Sequence, residues 1–218
     1  MALELNQELQ NTLNMLFEDT YLTIEKKSEG EYKDKGSKFL AYAFPIKKET
    51  EVKEFLSELR KTHHGARHHC YAFVLGANKL SYRANDDGEP SYTAGKPILG
   101  QIQSKDLTNI LIVVVRYFGG TLLGVSGLIN AYKTAANEAI KNNEIIEKTI
   151  NEVYEINFEY TLLNEVLKTL KEQKATITSQ VFENNCEISF SVRRKNSLMI
   201  ENTLKKITGI SIKYLKTE

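Results

Sequence analysis

The chain has 218 residues, 41% of them apolar and 26% charged, with 29 basic side chains against 28 acidic ones. That length allows one large domain or two small ones and buries about 70% of the unfolded surface, so no disulfide or metal is needed to hold a core. The charge balance excludes a generally basic nucleic-acid coat, the average composition excludes wholesale disorder, and apolar runs of at most six residues exclude a membrane-spanning helix. No Lys or Arg precedes Lys26, and Cys70 and Cys186 are the two cysteines, so the expectation is a cytoplasmic chain without a secretory signal or disulfide framework.

Within residues 1–20, Leu5, Leu9, Leu13, Leu16 and Phe17 recur at helical spacing and predict an N-terminal helix. Residues 39–44, 70–75 and 110–115 are short apolar runs rich in β-branched and aromatic side chains, which predicts buried strands. Between the first two, Val52, Phe55, Leu56 and Leu59 mark an amphipathic helix over residues 49–61. Gly88, Pro90, Gly95 and Pro97 make the stretch 85–100 begin as a loop, which leads into an apolar helix from Pro97. Leu128, Ile129, Tyr132, Ala135, Ala136 and Ala139 define a helix over residues 125–142.

Beyond Asn143 the pattern changes. Tyr154, Ile156, Phe158 and Tyr160 alternate with polar residues, as in a strand with one buried face. Leu162, Leu163, Val166, Leu167 and Leu170 form a helical stripe. Residues 177–182 and 186–192 read as two strands joined at the turn dipeptide Asn184-Asn185. Leu198, Ile200, Leu204 and Ile207 make a second helix with Gly209 as its C-cap, and Ile210, Ile212 and Tyr214 a last strand. The order β-α-β-β-α-β is the ferredoxin-like plan. The chain therefore divides into residues 1–143 and 148–218, within an α+β class. Neither part is charged: 17 basic and 16 acidic side chains occur through residue 136, and 12 of each beyond it.

Three groups of residues in the first domain can carry chemistry. His63, His64, His68 and His69 cluster beside Cys70. On a strand, His68 and Cys70 face one side and His69 the other, so no single closed metal shell uses them all. His63 and His64 fit an exposed helix end, where imidazolium favours the dipole, while His68 or His69 can act as acid-base or phosphate contact. Asp86, Asp87 and Glu89 lie in Asp86-Asp87-Gly88-Glu89-Pro90; such carboxylates can hold Mg²⁺, but Asp-Gly before a helix reads more simply as an acidic turn and cap. Ser91, Thr93, Ala94, Gly95 and Lys96 follow.

The third group is a strand running into Arg116-Tyr117-Phe118-Gly119-Gly120, then Gly124, Gly127 and a helix. A strand, a glycine-rich turn and a helix N-terminus present bare N–H groups to an anion. Arg116 can add bidentate phosphate contact, and Tyr117 or Phe118 a stacking face. No Gly-Lys-Ser/Thr follows, and the spacing is not that of a dinucleotide fingerprint. The alternative is steric, with the glycines allowing close helix-on-sheet packing and Tyr117 and Phe118 in the core.

These segments, with Ala66-Arg67-His68-His69-Cys70-Tyr71-Ala72 and Val113-Val114-Val115 preceding Arg116, resemble the signature of the YigZ/IMPACT family. Tyr92 stands where the bacterial pattern carries Gly, and Val125-Ser126 where it carries Thr-Gly. The resemblance implies a first domain of the ribosomal-protein-S-five domain-two-like fold and a ferredoxin-like second domain, similar to domains IV and V of elongation factor G. Eukaryotic relatives carry an extra N-terminal domain and regulate translation initiation under starvation. The expectation is a non-enzymatic regulator of translation that binds RNA or a ribosomal component through Arg67, Arg83, Lys96, Arg116 and the glycine turn. One alternative is an enzyme on a phosphorylated small molecule, with Asp86, Asp87 and Glu89 on a metal and His68 as base; no nucleophile or Walker-type lysine at suitable spacing supports it. Another is an adaptor that binds a regulatory protein through the ferredoxin-like domain, whose Arg193-Arg194-Lys195 run reads more simply as a solvated strand end than as a docking patch. No cofactor and no metal is assigned, and the oligomeric state is open.

Overall fold

The computed structural model describes residues 19–183 and 185–218. The N-terminal helix expected before Asp19 and the Asn184 position of the turn lie outside the described residues. The chain divides between Lys148 and Thr149 into two compact units, with Asp19–Tyr21 grouped with the second.

The first unit holds a five-stranded sheet of order β2-β3-β6-β4-β5, antiparallel throughout. Its strands are β2 (Ser28–Asp34), β3 (Ser37–Pro45), β4 (His68–Leu75), β5 (Ser81–Asn85) and β6 (Ile110–Tyr117). Helix α1 (Glu49–Thr62) covers one face, and α2 (Gly95–Ser104) and α3 (Gly124–Lys141) cover the other. Both faces are therefore dry, which explains why the central strand reads as unbroken apolar sequence. Ile110, Ile112 and Val114 meet α2 and α3, while Leu111, Val113 and Val115 meet the α1 side. Small residues bring α3 close to the sheet. Ala131, Ala135, Ala136 and Ala139 are fully buried, and a Cβ on Gly30 of β2 would collide with the α3 backbone at Ala139.

Strands β1 (Thr20–Ile24) and β7 (Ile145–Thr149) form a separate two-stranded sheet. The periodicity names neither, because both are short and β7 is mostly exposed, with no alternating apolar stripe.

In the second unit β8 (Asn151–Glu159), α4 (Leu163–Glu172), β9 (Thr176–Phe182), β10 (Asn185–Arg193), α5 (Arg194–Lys205) and β11 (Ser211–Thr217) follow in order. The sheet order is β11-β8-β10-β9, the ferredoxin-like arrangement. Alternate residues Tyr154, Ile156, Phe158, Cys186, Ile188, Phe190 and Val192 join Val166, Leu170, Ile200 and Leu204 in one core. The opposite sheet face is polar, since Glu187 and Ser189 of β10 pair with Asn157 and Glu155 of β8, and those with Ser211 and Lys213 of β11. Gly209 is not the cap of α5. That helix ends at Lys205 with Lys206 as cap, and Gly209 supplies a left-handed φ of +93° to the turn before β11. The molecule is thus α+β with two domains.

Candidate functional site

The loop after β5 is organised by Asp86. Its carboxylate accepts the N–H groups of Tyr92 at 2.8 Å, Ala94 at 3.0 Å and Gly95 at 2.8 Å, and so satisfies donors at the start of α2 that would otherwise lack partners. Gly95 is required there because a Cβ would lie 2.5 Å from the Asn85 nitrogen. Asp87 accepts the His69 N–H at 2.7 Å and Arg60 Nη2 at 2.8 Å. Its own carbonyl accepts from His68 Nδ1 at 2.8 Å, which places that imidazole proton on Nδ1. Thr93 is buried and donates to the Pro90 carbonyl at 2.6 Å.

Glu89 is the centre of the assembly. It is buried and accepts Arg116 Nη1 at 2.6 Å and the Tyr132 hydroxyl at 2.8 Å. One carboxylate thereby ties the acidic loop to the end of β6 and to the third turn of α3. The Arg116 side chain is 7% exposed, and its guanidinium lies 5.4 Å from the Phe39 ring and 5.7 Å from Phe118. Its Nε is buried without a hydrogen-bond partner, and the two ring faces provide the compensating electrostatics. Arg116 is therefore not a free phosphate ligand, because its charge is already neutralised inside the fold. The Cys70 sulfur lies 3.0 Å from the Asp86 carbonyl and 3.3 Å from the Tyr132 hydroxyl, two acceptors for its single S–H. Burial pushes the Cys70 thiol and the Tyr132 phenol well above their ordinary ranges, so both stay neutral hydrogen-bonding groups.

The carboxylates are thus occupied by backbone donors and cations, and no cluster of His, Cys, Asp and Glu among the described residues is arranged to hold a metal. The acidic segment is a turn and cap, not a metal shell. His68, Asp86, Asp87, Glu89, Thr93 and Arg116 converge on one side of the sheet. Tyr117 does not join them: it follows Arg116 on the strand, faces the α1 side, and its hydroxyl meets His63 Nδ1 at 2.9 Å. Arg83 also belongs to that other face, since it pairs with Phe73, whose neighbours lie under α1. Arg67 is exposed just before β4. His63 is half-buried, not an exposed imidazolium. Tyr42 meets its Nε2 at 2.8 Å, and burial lowers its pKa; burial lowers that of His69 also.

The glycine turn divides by role. The Gly119 N–H donates to Ser37 Oγ at 3.1 Å, and a Cβ on Gly119 would collide with the backbone of Gly36 and Ser37. Its donor is spent, and its smallness serves contact with the β2–β3 turn, not helix-on-sheet packing. Gly120 and Gly124 have φ of +86° and +72°, and a Cβ on either would meet open space. They serve backbone conformation. A Cβ on Gly127 would meet Leu123 Cβ at 3.0 Å. The first turn of α3 carries no side-chain cap and no acidic residue, in contrast to the Asp86-capped α2. Around it Phe118, Leu122 and Val125 are exposed, and Lys96 is exposed on the acidic loop's side. Tyr132 and Ser37 were not among the expected site residues. A lone phenol within the alanine-rich stripe of α3 is the signal that marks Tyr132; Ser37 has none.

In the basic run Arg193-Arg194-Lys195, three cations share two carboxylates. Arg193 Nε and Lys195 meet Asp19 at 2.5 and 3.6 Å, and Arg194 meets Glu152 at 2.7 Å. The Arg193 guanidinium holds the Asp19 carboxyl below its ordinary range. Arg193 and Arg194 are thereby tied into the fold, while the Lys195 side chain stays 53% exposed.

Fold and site together define a two-domain α+β protein. The buried Glu89–Arg116–Tyr132 network of its first domain presents two loops on one face. Residues 35–140 match the family model described as the Impact N-terminal domain. The chain is 31% identical to IMPACT family member YvyE of Bacillus subtilis over 190 residues, 87% of this chain and 88% of that protein. It is 34% identical to an IMPACT family member of Haemophilus influenzae over 163 residues, 74% and 79% of the two chains. It is 43% identical to IMPACT family member YigZ of Escherichia coli over 111 residues, half of this chain and 54% of that one. A crystal structure described as that of a hypothetical protein superposes with a TM-score of 0.72 at 27% identity, over 92% of this chain and 99% of that one. The chain belongs to the IMPACT family. None of its described helices is long and apolar enough to cross a membrane.

Proposed function

We propose that this chain is a cytoplasmic, non-enzymatic regulator of translation that binds single-stranded RNA on the loop face of its first domain. The observation that carries the reading is the Glu89 clamp. Through bonds of 2.6 and 2.8 Å it braces the segments that carry Lys96, Phe118 and the uncapped first turn of α3. A cation, an exposed aromatic and unpaired helix N–H groups are the parts that take a phosphate backbone and stack a base. The polar face of the second domain's sheet offers Glu155, Asn157, Glu187 and Ser189, with no aromatic platform in these pairs. The proposed surface is therefore local, consistent with a net charge of +1. The commitment of Asp86, Asp87 and Glu89 to structural bonds weighs against metal-dependent hydrolysis.

Fluorescence anisotropy with a labelled single-stranded RNA, at about 50 and about 200 mM salt, tests this. Binding weakens with salt, Lys96→Ala lowers affinity and reduces the log–log salt slope by about 1, and Phe118→Ala costs about tenfold with the slope unchanged. Absence of binding at the lower salt overturns the reading. Arg116→Ala is not an informative variant, because it strands Glu89 as a buried charge.

A further inference from the structure

The loop that Asp86 caps contains a strained aromatic. To deliver the Tyr92 N–H to Asp86 Oδ2 at 2.8 Å, while Ala94 and Gly95 reach Oδ1, the backbone at residue 92 adopts φ +67°. This left-handed conformation suits glycine and strains a bulky L-residue. The bond to Asp86 uses a backbone N–H that glycine supplies equally well, so the cap does not need the ring. Burial does not repay the strain, since Tyr92 is 62% exposed. The ring carries the Lys96 ammonium 3.9 Å from its centroid. An exposed cation–π contact of this kind contributes little by itself. Strain that persists at a surface, on an aromatic that neither caps nor packs, points outward to a ligand.

We propose that Tyr92 is a base-stacking residue, with Lys96 as its phosphate partner, for single-stranded RNA; this rests on the RNA-binding reading above. With the ammonium over one face, the other face of the ring receives a nucleobase, and the ammonium meets the adjoining phosphate. Aromatic stacking with a neighbouring cation is the sequence-tolerant way to hold a single strand. The residue is thus kept for affinity at the expense of loop stability.

The test measures melting temperature and RNA anisotropy on the full chain with Tyr92→Gly, Tyr92→Phe and Tyr92→Leu. Tyr92→Gly raises the melting temperature by about 3 °C and weakens RNA binding about tenfold with an unchanged salt slope. Tyr92→Phe keeps wild-type affinity. Tyr92→Leu keeps the strain, gains no melting temperature, and loses affinity as the glycine variant does. Wild-type affinity in Tyr92→Gly or Tyr92→Leu overturns the stacking role and leaves the RNA-binding reading standing. Failure of the wild-type chain to bind overturns both.

Discussion

At residue 89 a buried carboxylate holds two partners, and its removal leaves the Arg116 guanidinium without its carboxylate and the Tyr132 hydroxyl without its acceptor. Breaking one side of a buried ion pair costs about 3–5 kcal/mol, whereas replacing both members with apolar groups of similar volume is often near neutral. Glu89→Ala is therefore expected to destabilise the first domain by about 3 kcal/mol or more, and Glu89→Leu combined with Arg116→Met to recover most of that loss. Urea unfolding of the two single variants and the double variant checks it, and additive losses would show that the pair is not coupled. His63 and His69 give a second expectation. Burial lowers both pKa values below 6.5, so the unfolded chain binds more protons than the folded one at pH just below that value. Their contribution is fully present above about pH 6.5 and is lost as pH falls toward the depressed values. Unfolding midpoints at pH 7.5 and 5.5 should differ, and His69→Gln should flatten that difference.

At the scale of elements, α2 and α3 start differently, and the difference follows from what precedes them. The start of α2 is served by Asp86 from eight or nine positions upstream, so an ordinary local N-cap is unnecessary. Asp86→Ala removes three accepting contacts and should destabilise by about 2 kcal/mol, the upper end for a lost cap; thermal melting measures it. Gly119→Ala should be still more disruptive, because the added Cβ meets backbone at Gly36 and Ser37, which has no rotamer to change. Gly120→Ala meets open space and bears only the cost of a positive φ, about 1–2 kcal/mol. Equal losses in these two variants would contradict the division of roles within the turn. The alternation along β6 and the stripe of α3 were legible in the sequence, because each reflects a repeat of two or 3.6 residues. The acidic turn before α2 was legible as a cap because the two lie close along the chain, whereas the Gly119 contact with Ser37 was not, because it joins positions 82 apart.

For the whole molecule, the two units bury separate sets of residues, with one cluster on each face of the five-stranded sheet and one on the ferredoxin-like sheet. Phe190→Ala opens a cavity in the second unit's core only. Calorimetry should then show one transition lowered and the other retained, a departure from two-state unfolding that equal shifts of the entire endotherm would contradict.

The sequence by itself determined the α+β class, the buried strands, the helices that flank them, the ferredoxin-like order and the segments that carry the family resemblance. Periodicity and turn chemistry are local, and each is written within a few residues. Only the tertiary structure decided which charged groups are free to act. Glu89 meets Arg116 across 27 positions and Tyr132 across 43, and Gly119 meets Ser37 across 82. Those meetings moved Arg116 from candidate phosphate ligand to buried clamp. They left Lys96, Phe118 and the strained Tyr92 exposed. Availability depends on burial and pairing, and both are properties of residues brought together by the fold, not of their order along the chain.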